Sequence, residues 1–510
     1  MFHQYLWVVT AFRGCQMTDT SQRASPFRHH GTGLLVVGIA SLIIGALSRM
    51  LATRGELWLD ELWSLLHVTP IANPLEIFTK VKHDNNHLLN SLWMWICVQT
   101  GDPSSFNVRL PSLVCGIALL IVLLKQTTSA AERATNTLWL VLVACSYPVT
   151  LYCSEARGYS LVLLCAVIGY RCLDSLLRNP EDDTAMKVFG VAGVVGCLSH
   201  AIYVLFLAPA LAWLFWRAGM SPLKHNSRNL IRYGMLPPVV TASILTLTFY
   251  TGMEIGGGPL LPYLEVAATT ISIAFGGVAL SSVNVDVTGW SLFFAITVVT
   301  LCALELVAWI RSGDPRAVLV TLILATPWIA VAVLQPHFIL PRYFIIQVVF
   351  AYLVAARFLV RLSRQGRLGV VVCATLVTAY VGSNGLHISD LITRGRSHFV
   401  EIFATLGDKK TSTPVTVGGD QDFQNSLRLA YAGRSANNLT YVPNYRTTAE
   451  PPTFIIRESL DAYEEFPGTF STTQGVRYEK VKSYKAPLLN GSHVSIYQIT
   501  VTPPDAIAGH

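Results

Sequence analysis

Long apolar runs separated by short basic segments make up most of the chain before residue 390. A transmembrane helix needs about 20 mostly apolar residues, and the first such run is GLLVVGIASLIIGALSRMLA (33–52). Further spans are predicted at 109–125, 137–152, 159–177, 187–200, 201–217, 230–251, 290–310, 317–335, 341–360 and 368–386. The pattern therefore predicts a polytopic α-helical membrane protein with about eleven transmembrane helices.

Two apolar stretches are assigned to the membrane surface instead. LLNSLWMWICV (88–98) is short for a span and lies in the long polar and aromatic segment 53–108. AATTISIAFGGVALSS (267–282) is longer, but counting it as a span would move Arg311 and Arg316 outside, against the usual distribution of basic residues. We therefore expect a long first outer loop with interfacial helices, and an outer or re-entrant element at 267–282.

Basic residues give the orientation, because short loops rich in Lys and Arg stay cytoplasmic. Arg133, Arg178 and Lys187 mark such loops, as do the basic residues of 217–232. Residues 1–30 are polar and basic, and we interpret them as a cytoplasmic leader, polar enough to be disordered, before an uncleaved first span. This orientation places the first long loop and the C-terminus outside.

The sequence from 389 to 510 has the composition of a soluble domain. Short strand-like segments separated by Gly, Pro and Asn are PVTVGG, LTYVPN, TFIIRES, VRYEKVKSY and HVSIYQITV. LDAYEEF and QDFQNSLRLAYAG are typical of helices. We predict a small α/β domain on the outer side of the membrane.

Composition supports the membrane assignment. The 510 residues are 52% hydrophobic and 13% charged, whereas soluble domains carry about 25% charged residues. The net charge of +7 is spread through short loops, so it does not indicate a nucleic-acid partner. The cysteines form no CxxC or Cys/His array, and none follows Cys373, so the tail has no disulfide framework.

Four polar clusters fall on the outer face of this topology, at 58–64, 82–87, 154–160 and 335–344. Ionisable residues beside apolar helices are costly and are functional candidates by default. The last cluster contains Arg342, which could equally anchor a helix in lipid headgroups. Because all four clusters share one face, we predict that they form a single site.

The other clusters have structural interpretations too. Asp60 and Glu61 fit ordinary interfacial acids, with Glu61 at a helix start, and 84–87 fits a turn that caps the next helix. Glu155 and Arg157 are near enough in sequence to form a local ion pair. Each cluster is a weak signal alone, and only their shared position favours a site.

Taken together, these strings resemble the GT-C glycosyltransferases that use polyprenyl-phosphate sugars, and most closely the protein O-mannosyltransferase and aminoarabinose-transferase group. The matching pieces are W-x-D-E-x-x-S from Trp58, D-N-N-H-L-L-N-S-L-W from Asp84, R-L-P-S from Arg109, E-A-R-G-Y-S-L from Glu155 and P-R-Y from Pro341. One departure is that many relatives carry His-Pro-Pro or Lys-Pro-Pro-Leu after the second acid, where this chain has 85–88, Asn-Asn-His-Leu.

The resemblance implies a GT-C catalytic domain at 31–388 and a role for each matching residue. Asp60 would be the catalytic base or acceptor-orienting carboxylate, Asp84 the second acid, and Arg342 with Arg157 the phosphate-binding pair. It leaves open which of the basic residues near Asp84 takes the place of the family lysine. The whole predicted site contains the acids Asp60, Asp84 and Glu61, the phosphate-binding candidates Arg342, Arg157, Lys82 and His83, and the further members Asn86, His87, Glu155 and Tyr343.

The chemistry of these residue types agrees with such a reaction. A lipid phosphate is already a good leaving group, an acceptor hydroxyl needs a carboxylate to take its proton, and arginine matches phosphate oxygens. We predict an enzyme that transfers a sugar from a polyprenyl-phosphate donor, with inversion, to a protein, lipid or glycan acceptor. The expected location is the inner (plasma) membrane, with the C-terminal domain periplasmic. Asp60, Asp84, Asn85 and His87 could supply oxygen and nitrogen ligands to a divalent metal, but neither a metal nor another cofactor is expected, since no HExxH or carboxylate-rich spacing is present.

Two other functions remain open at this stage. A secondary transporter or lipid flippase would place charged residues near the bilayer midplane and often shows internal repeats, neither of which is visible here. A receptor with a ligand-binding tail would leave the acids of the first outer loop without a role.

Overall fold

A computed structural model describes residues 27–501 apart from 125–128, 221–226, 257–261, 280–284, 337–338, 408–414, 433–437, 449, 460, 462–463 and 490–492. It divides into two compact units. The first runs from the N-terminal helix to Ile388 and includes nearly all the apolar helices. The second contains Arg54–His67, a short segment that ends at Gly289, and the chain from Ser389 onward.

The described chain before the C-terminal sheet is almost entirely helical. Its helices are α1 (Phe27–Ala52), α2 (Leu59–Val68), α3 (Glu76–Thr79), α4 (Leu88–Gln99), α5 (Ser105–Leu124), α6 (Ala130–Cys145), α7 (Tyr147–Tyr152), α8 (Tyr159–Arg178), α9 (Asp183–Ser199), α10 (Val204–Met220), α11 (Ser227–Tyr250), α12 (Tyr263–Ala274), α13 (Val285–Arg311), α14 (Pro315–Leu334), α15 (Ile345–Ser363) and α16 (Arg367–Arg394). Short 3₁₀ turns at Ala201–Tyr203 and Pro341–Phe344 precede α10 and α15.

Eight helical stretches in the described chain are long and apolar enough to cross a membrane. They are Thr32–Ala52, Ser105–Leu124, Tyr159–Arg178, Ser227–Tyr250, Asp286–Arg311, Pro315–Leu334, Pro341–Ser363 and the stretch that begins at Arg367. The protein is therefore a helical protein with the character of a membrane protein. The predicted total of eleven spans is not established, because α6, α9 and α10 have only 16, 17 and 17 residues.

One predicted span, 137–152, is broken into α6 and α7. Ser146 lies between them with extended backbone angles (φ −70°, ψ 125°), and its hydroxyl accepts a hydrogen bond from the Val149 N–H. Pro148 lacks the N–H that a continuous helix would need, so it fits the first turn of a new helix. The break directs the chain into the loop that carries Arg157.

The apolar helices differ in how much of their surface is covered. Most side chains of α15 are buried, whereas α13 exposes large apolar groups, with Phe293 and Ile296 each 64% exposed. An apolar face this extensive is not found on ordinary soluble monomers. It is the surface expected of a helix in contact with lipid.

The second unit contains a mixed six-stranded sheet with the strand order β2-β1-β3-β6-β5-β4. The strands are β1 (Val415–Gly419), β2 (Leu439–Tyr441), β3 (Phe454–Ser459), β4 (Thr469–Ser471), β5 (Arg477–Tyr484) and β6 (His493–Val501). β1 pairs in parallel with β2 and β3, and the other pairs are antiparallel. The predicted small C-terminal sheet domain is thus present.

Helices α17 (Phe399–Gly407) and α18 (Asp422–Ala432) complete this domain. Phe403 of α17 packs in one core with Phe454 and Ile456 of β3, and Ile455 between them belongs to a second core, as expected where successive side chains of a strand point to opposite faces. Residues 422–432 of QDFQNSLRLAYAG form α18, but the described residues of LDAYEEF are not helical. There the Asp461 N–H bonds the Ser459 hydroxyl, a turn that competes with helix formation.

The segment after α1 belongs to the second unit. Both carboxylate oxygens of Glu56 accept hydrogen bonds at the start of α17, from the N–H groups of Val400 (3.0 Å) and Glu401 (2.9 Å). These N–H groups have no partner within their own helix, so an acid at this position caps it. The first part of the predicted outer loop is thus attached to the C-terminal domain. The domain boundary predicted from the sequence, at 388/389, assigns this part of the loop to the helical domain instead.

Candidate functional site

The loop before α4 positions Asp84. The Asp84 N–H donates to the Glu254 carbonyl (3.0 Å), and the Glu254 N–H donates to the Lys82 carbonyl (2.9 Å), so the loop is paired with the chain that follows α11. One Asp84 carboxylate oxygen lies 2.9 Å from His83 Nδ1. Burial opposes ionisation, but His83 and the Gly256 N–H hold the pKa of Asp84 below its usual value. Asp84 is therefore an ionised carboxylate at neutral pH.

Asn86 and His87 have different roles in this loop. The Asn86 side-chain amide donates to the carbonyls of Ile77 (2.8 Å) and Val81 (2.7 Å), which holds the loop closed. His87 is at the N-cap position of α4, but its side chain makes no capping hydrogen bond there. Its Nε2 instead accepts a 3.0 Å hydrogen bond from Arg157 Nε.

The Arg157 loop is held from three helices. The Ser112 hydroxyl donates to the Arg157 carbonyl (3.0 Å), and the Ser199 hydroxyl donates to the Gly158 carbonyl (2.8 Å). The Asn90 amide donates to the carbonyl of Ala156 (2.6 Å). Because α5, α9 and α4 each contribute one of these bonds, the position of Arg157 is strongly constrained.

Three aromatic rings pack beside Arg157. The His200 ring centroid lies 4.3 Å from that of His87 and 4.8 Å from that of Tyr159. His200 Nδ1 accepts from the Ile202 N–H (3.1 Å), so the proton of the neutral ring is on Nε2. The sequence interpretation missed His200, although a histidine at the outer end of the predicted span 187–200 is a detectable signal.

Arg342 and Tyr343 reach the same place from a distant part of the chain. Both belong to the 3₁₀ turn Pro341–Phe344 that leads into α15. The turn is closed by a hydrogen bond from the Tyr343 N–H to the Leu340 carbonyl (3.0 Å). Pro341 suits such a start, because its ring fixes a helical φ and it has no N–H to satisfy.

Side chains from each of these segments line one cavity of about 580 Å³ within the first unit. Its polar wall consists of Asp84, Asn86, His87, Arg157, Tyr159, Ser199, His200, Arg342 and Tyr343. Its apolar wall consists of Leu88, Leu198, Ile202, Phe249, Tyr250, Met253 and Ile255. The volume is within the range of small-molecule sites, and two arginines against one aspartate favour an anionic ligand.

Several predicted site residues do not line this cavity. Lys82 and His83 directly precede Asp84 in the chain, and Glu155 is fully buried. None of the three is part of the described lining of the cavity. Asp60 and Glu61 belong to the second unit, in the first turn of α2.

The two acids of α2 are both buried. Asp60 is only 8% exposed, and the Ser64 hydroxyl donates to its carbonyl (2.9 Å). One Glu61 carboxylate oxygen accepts from the Trp58 N–H (3.1 Å), the contact that a glutamate makes at the third position of a helix. This hydrogen bond gives Glu61 a structural role at the start of α2.

The described residues contain no group of three or more His, Cys, Asp or Glu side chains arranged to hold a metal ion. His87 is instead engaged with Arg157 and packed against a second histidine.

His87 should make stability depend on pH. Burial, and then the positive charge of Arg157, holds the pKa of His87 well below 6.5, so the folded protein keeps the ring neutral. The unfolded chain binds the proton first as pH falls below 6.5, so stability that is complete above this value is lost below it, by up to about 1.4 kcal/mol per pH unit. In detergent, the wild type should lose more free energy of unfolding than His87→Gln between about pH 7.5 and about pH 5.5. Parallel curves would show that His87 is not the titrating group.

Comparison with known proteins does not identify a family for this chain. No model of a known protein family matches the chain, and no curated protein sequence shows significant similarity to it.

Proposed function

We propose that this protein is a membrane glycosyltransferase that moves one sugar from a polyprenyl-phosphate donor to an acceptor hydroxyl. The observation that supports this most is the cavity in which Arg157 and Arg342 lie on the same polar wall as Asp84, next to an apolar wall. A lipid phosphate has an anionic head and an apolar chain, and this cavity offers both kinds of surface. We place the reaction at the outer face of the plasma membrane, with the C-terminal domain outside.

The proposed transfer needs a base and a clamp for the leaving phosphate. The acceptor oxygen attacks the anomeric carbon and its proton passes to a carboxylate, while the bond from that carbon to the phosphate oxygen breaks and the phosphate keeps the electron pair. Arg157 and Arg342 would stabilise the charge that develops on the phosphate. A displacement in one step inverts the anomeric configuration.

Asp60 and Asp84 divide the remaining tasks in this proposal. Asp60 has the support of the sequence resemblance and is assigned as the base. Asp84 has the support of its position on the cavity wall and its ionised state, and is assigned to orienting a hydroxyl of the sugar or acceptor. His87 and His200 stay neutral partners of the polar wall, and His87 holds Arg157 in place.

The test is transfer of label in membranes that contain the full chain, supplied in parallel with radiolabelled polyprenyl-phosphate sugars and nucleotide sugars. We expect label to reach an acceptor from the lipid-linked donors and not from the nucleotide sugars, with membranes lacking the chain as the control. No transfer from any lipid-linked donor, with the protein folded and inserted, would contradict the proposal and favour a transporter or flippase.

A further inference from the structure

A second cavity in the first unit, of about 210 Å³, is lined by six arginines. They are Arg171, Arg178, Arg316, Arg357, Arg361 and Arg364. They come from the C-terminal part of α8, the start of α14 and the C-terminal end of α15, with Arg364 directly after that helix. The proposed catalytic cavity uses none of them.

The two cavities lie at opposite ends of shared helices. Tyr159 is the first residue of α8 and lines the first cavity, whereas Arg178 is the last and lines the second. A helix of 20 residues is about 30 Å long, the thickness of the hydrocarbon core of a bilayer. Arg178 and Arg316 of the second cavity are among the basic residues that the distribution of positive charge assigns to the cytoplasmic side.

Acidic residues of this cavity neutralise only part of its charge. Glu132 and Asp174 are shared by two arginines, lying 2.8 and 3.2 Å from Arg316 and 3.1 and 2.9 Å from Arg178. Glu305 pairs with Arg361 at 2.8 Å. Six arginines line the cavity with three carboxylates, and even with Asp314, which pairs with Arg316, the arginines exceed the acids by two.

Two of the arginines keep buried N–H groups without a hydrogen-bond partner among the described residues. Arg171 donates to the Asn136 amide oxygen (3.2 Å), but its Nε and Nη2 are buried and unpaired within that part of the chain. The Arg357 guanidinium lies over the Trp309 ring, 3.8 Å from the centroid, and its Nε lies 3.9 Å from a Glu305 carboxylate oxygen, too far for a hydrogen bond. Buried charged donors are costly unless a partner is bound, and both face a cavity.

We propose that this cavity binds a phosphate group, carried by an anionic phospholipid or free in solution. Guanidinium groups bind phosphate oxygens in pairs, and basic pockets between transmembrane helices on the cytoplasmic side bind lipid headgroups. The cavity is smaller than the range of sites for drug-sized molecules, which fits a headgroup phosphate. The inference does not depend on the proposed glycosyl transfer.

The test compares two exposed arginines on either side of one turn. Arg364 lines the cavity and Arg367, three residues later, does not. Purified full chain is titrated with phosphatidylglycerol by native mass spectrometry, with phosphatidylcholine as the reference, and separately with radiolabelled inorganic phosphate at constant ionic strength. We expect Arg364→Gln to weaken binding about tenfold and Arg367→Gln to leave it unchanged.

The two titrations distinguish the sources of the phosphate. Tight binding of phosphatidylglycerol alone assigns the cavity to a lipid headgroup, and tight binding of inorganic phosphate assigns it to the free anion. Equal losses of binding in Arg364→Gln and Arg367→Gln would show that basic residues attract the anion in general, and would overturn the proposal. The proposal would also be overturned if phosphatidylglycerol bound no more tightly than phosphatidylcholine and inorganic phosphate did not bind. Arg357→Gln, checked for an unchanged unfolding transition without ligand, provides a second variant inside the cavity.

Discussion

Asp60→Asn should lower the rate of sugar transfer about 10²- to 10⁴-fold, because an amide cannot accept the proton of the acceptor hydroxyl. Asp84→Asn should lower it about 10- to 100-fold, the loss expected when one hydrogen bond to a charged group is removed. Both are measured as initial rates of label transfer at equal amounts of folded protein. The effect of Asp60→Asn should appear in kcat, because binding of the donor phosphate does not require the base.

The matched control is Glu76→Gln. Glu76 carries a carboxylate in the same predicted outer loop, and its ion pair with Lys80 is a surface pair (2.8 Å), a type of contact that contributes little. Its rate should equal that of the wild type. If Asp60→Asn retains the full rate while Asp84→Asn loses 10²-fold or more, the assignments are reversed and Asp84 is the base.

Gly158→Ala should destabilise the protein and disrupt the cavity together. A Cβ at this position would lie 2.3 Å from the Ser199 carbonyl oxygen, and that oxygen belongs to the backbone of α9 and cannot rotate away. Such overpacking costs about 1–3 kcal/mol. Since Arg157 precedes this glycine and Tyr159 follows it, the shift that relieves the clash also moves the polar wall of the cavity.

The measurement is the thermal unfolding transition in detergent and the transfer rate of the remaining folded protein. Gly382→Ala is the control, because it is a helical glycine in α16 with nothing within 4 Å of an added Cβ. Alanine there should be neutral or stabilise by about 0.5–1 kcal/mol. Equal behaviour of the two variants would contradict the close contact between the Arg157 loop and α9.

Much of the helical architecture can be predicted from the apolar runs, since a span of about 20 apolar residues has few other stable states. The shared face of the polar clusters likewise points toward Asp84, Arg157 and Arg342, which line one cavity in the structure. The break at Ser146 was not predicted, although Pro148 was visible, because proline is tolerated in membrane helices when other groups satisfy the backbone.

Other features could not be read from local pattern. His200 ends an apolar run and joins the site only because α9 packs against the Arg157 loop. The attachment of Glu56 to α17 depends on residues more than 340 positions away in sequence. Glu61 looked like a catalytic candidate, and its bond to the Trp58 N–H depends on where α2 begins, the least predictable property of a helix.

The most direct test of the central claim is photolabelling of the purified protein with a polyprenyl phosphate that carries a photoreactive group in its first isoprene unit. We predict adducts on the apolar wall of the cavity, at Ile202, Phe249 and Met253. Unlabelled polyprenyl phosphate should abolish them and the uncharged polyprenol should not, because Arg157 and Arg342 require the phosphate. Adducts confined to exposed apolar faces such as Phe293 of α13, or adducts that both competitors reduce equally, would contradict the assignment of this cavity to a lipid-linked phosphate.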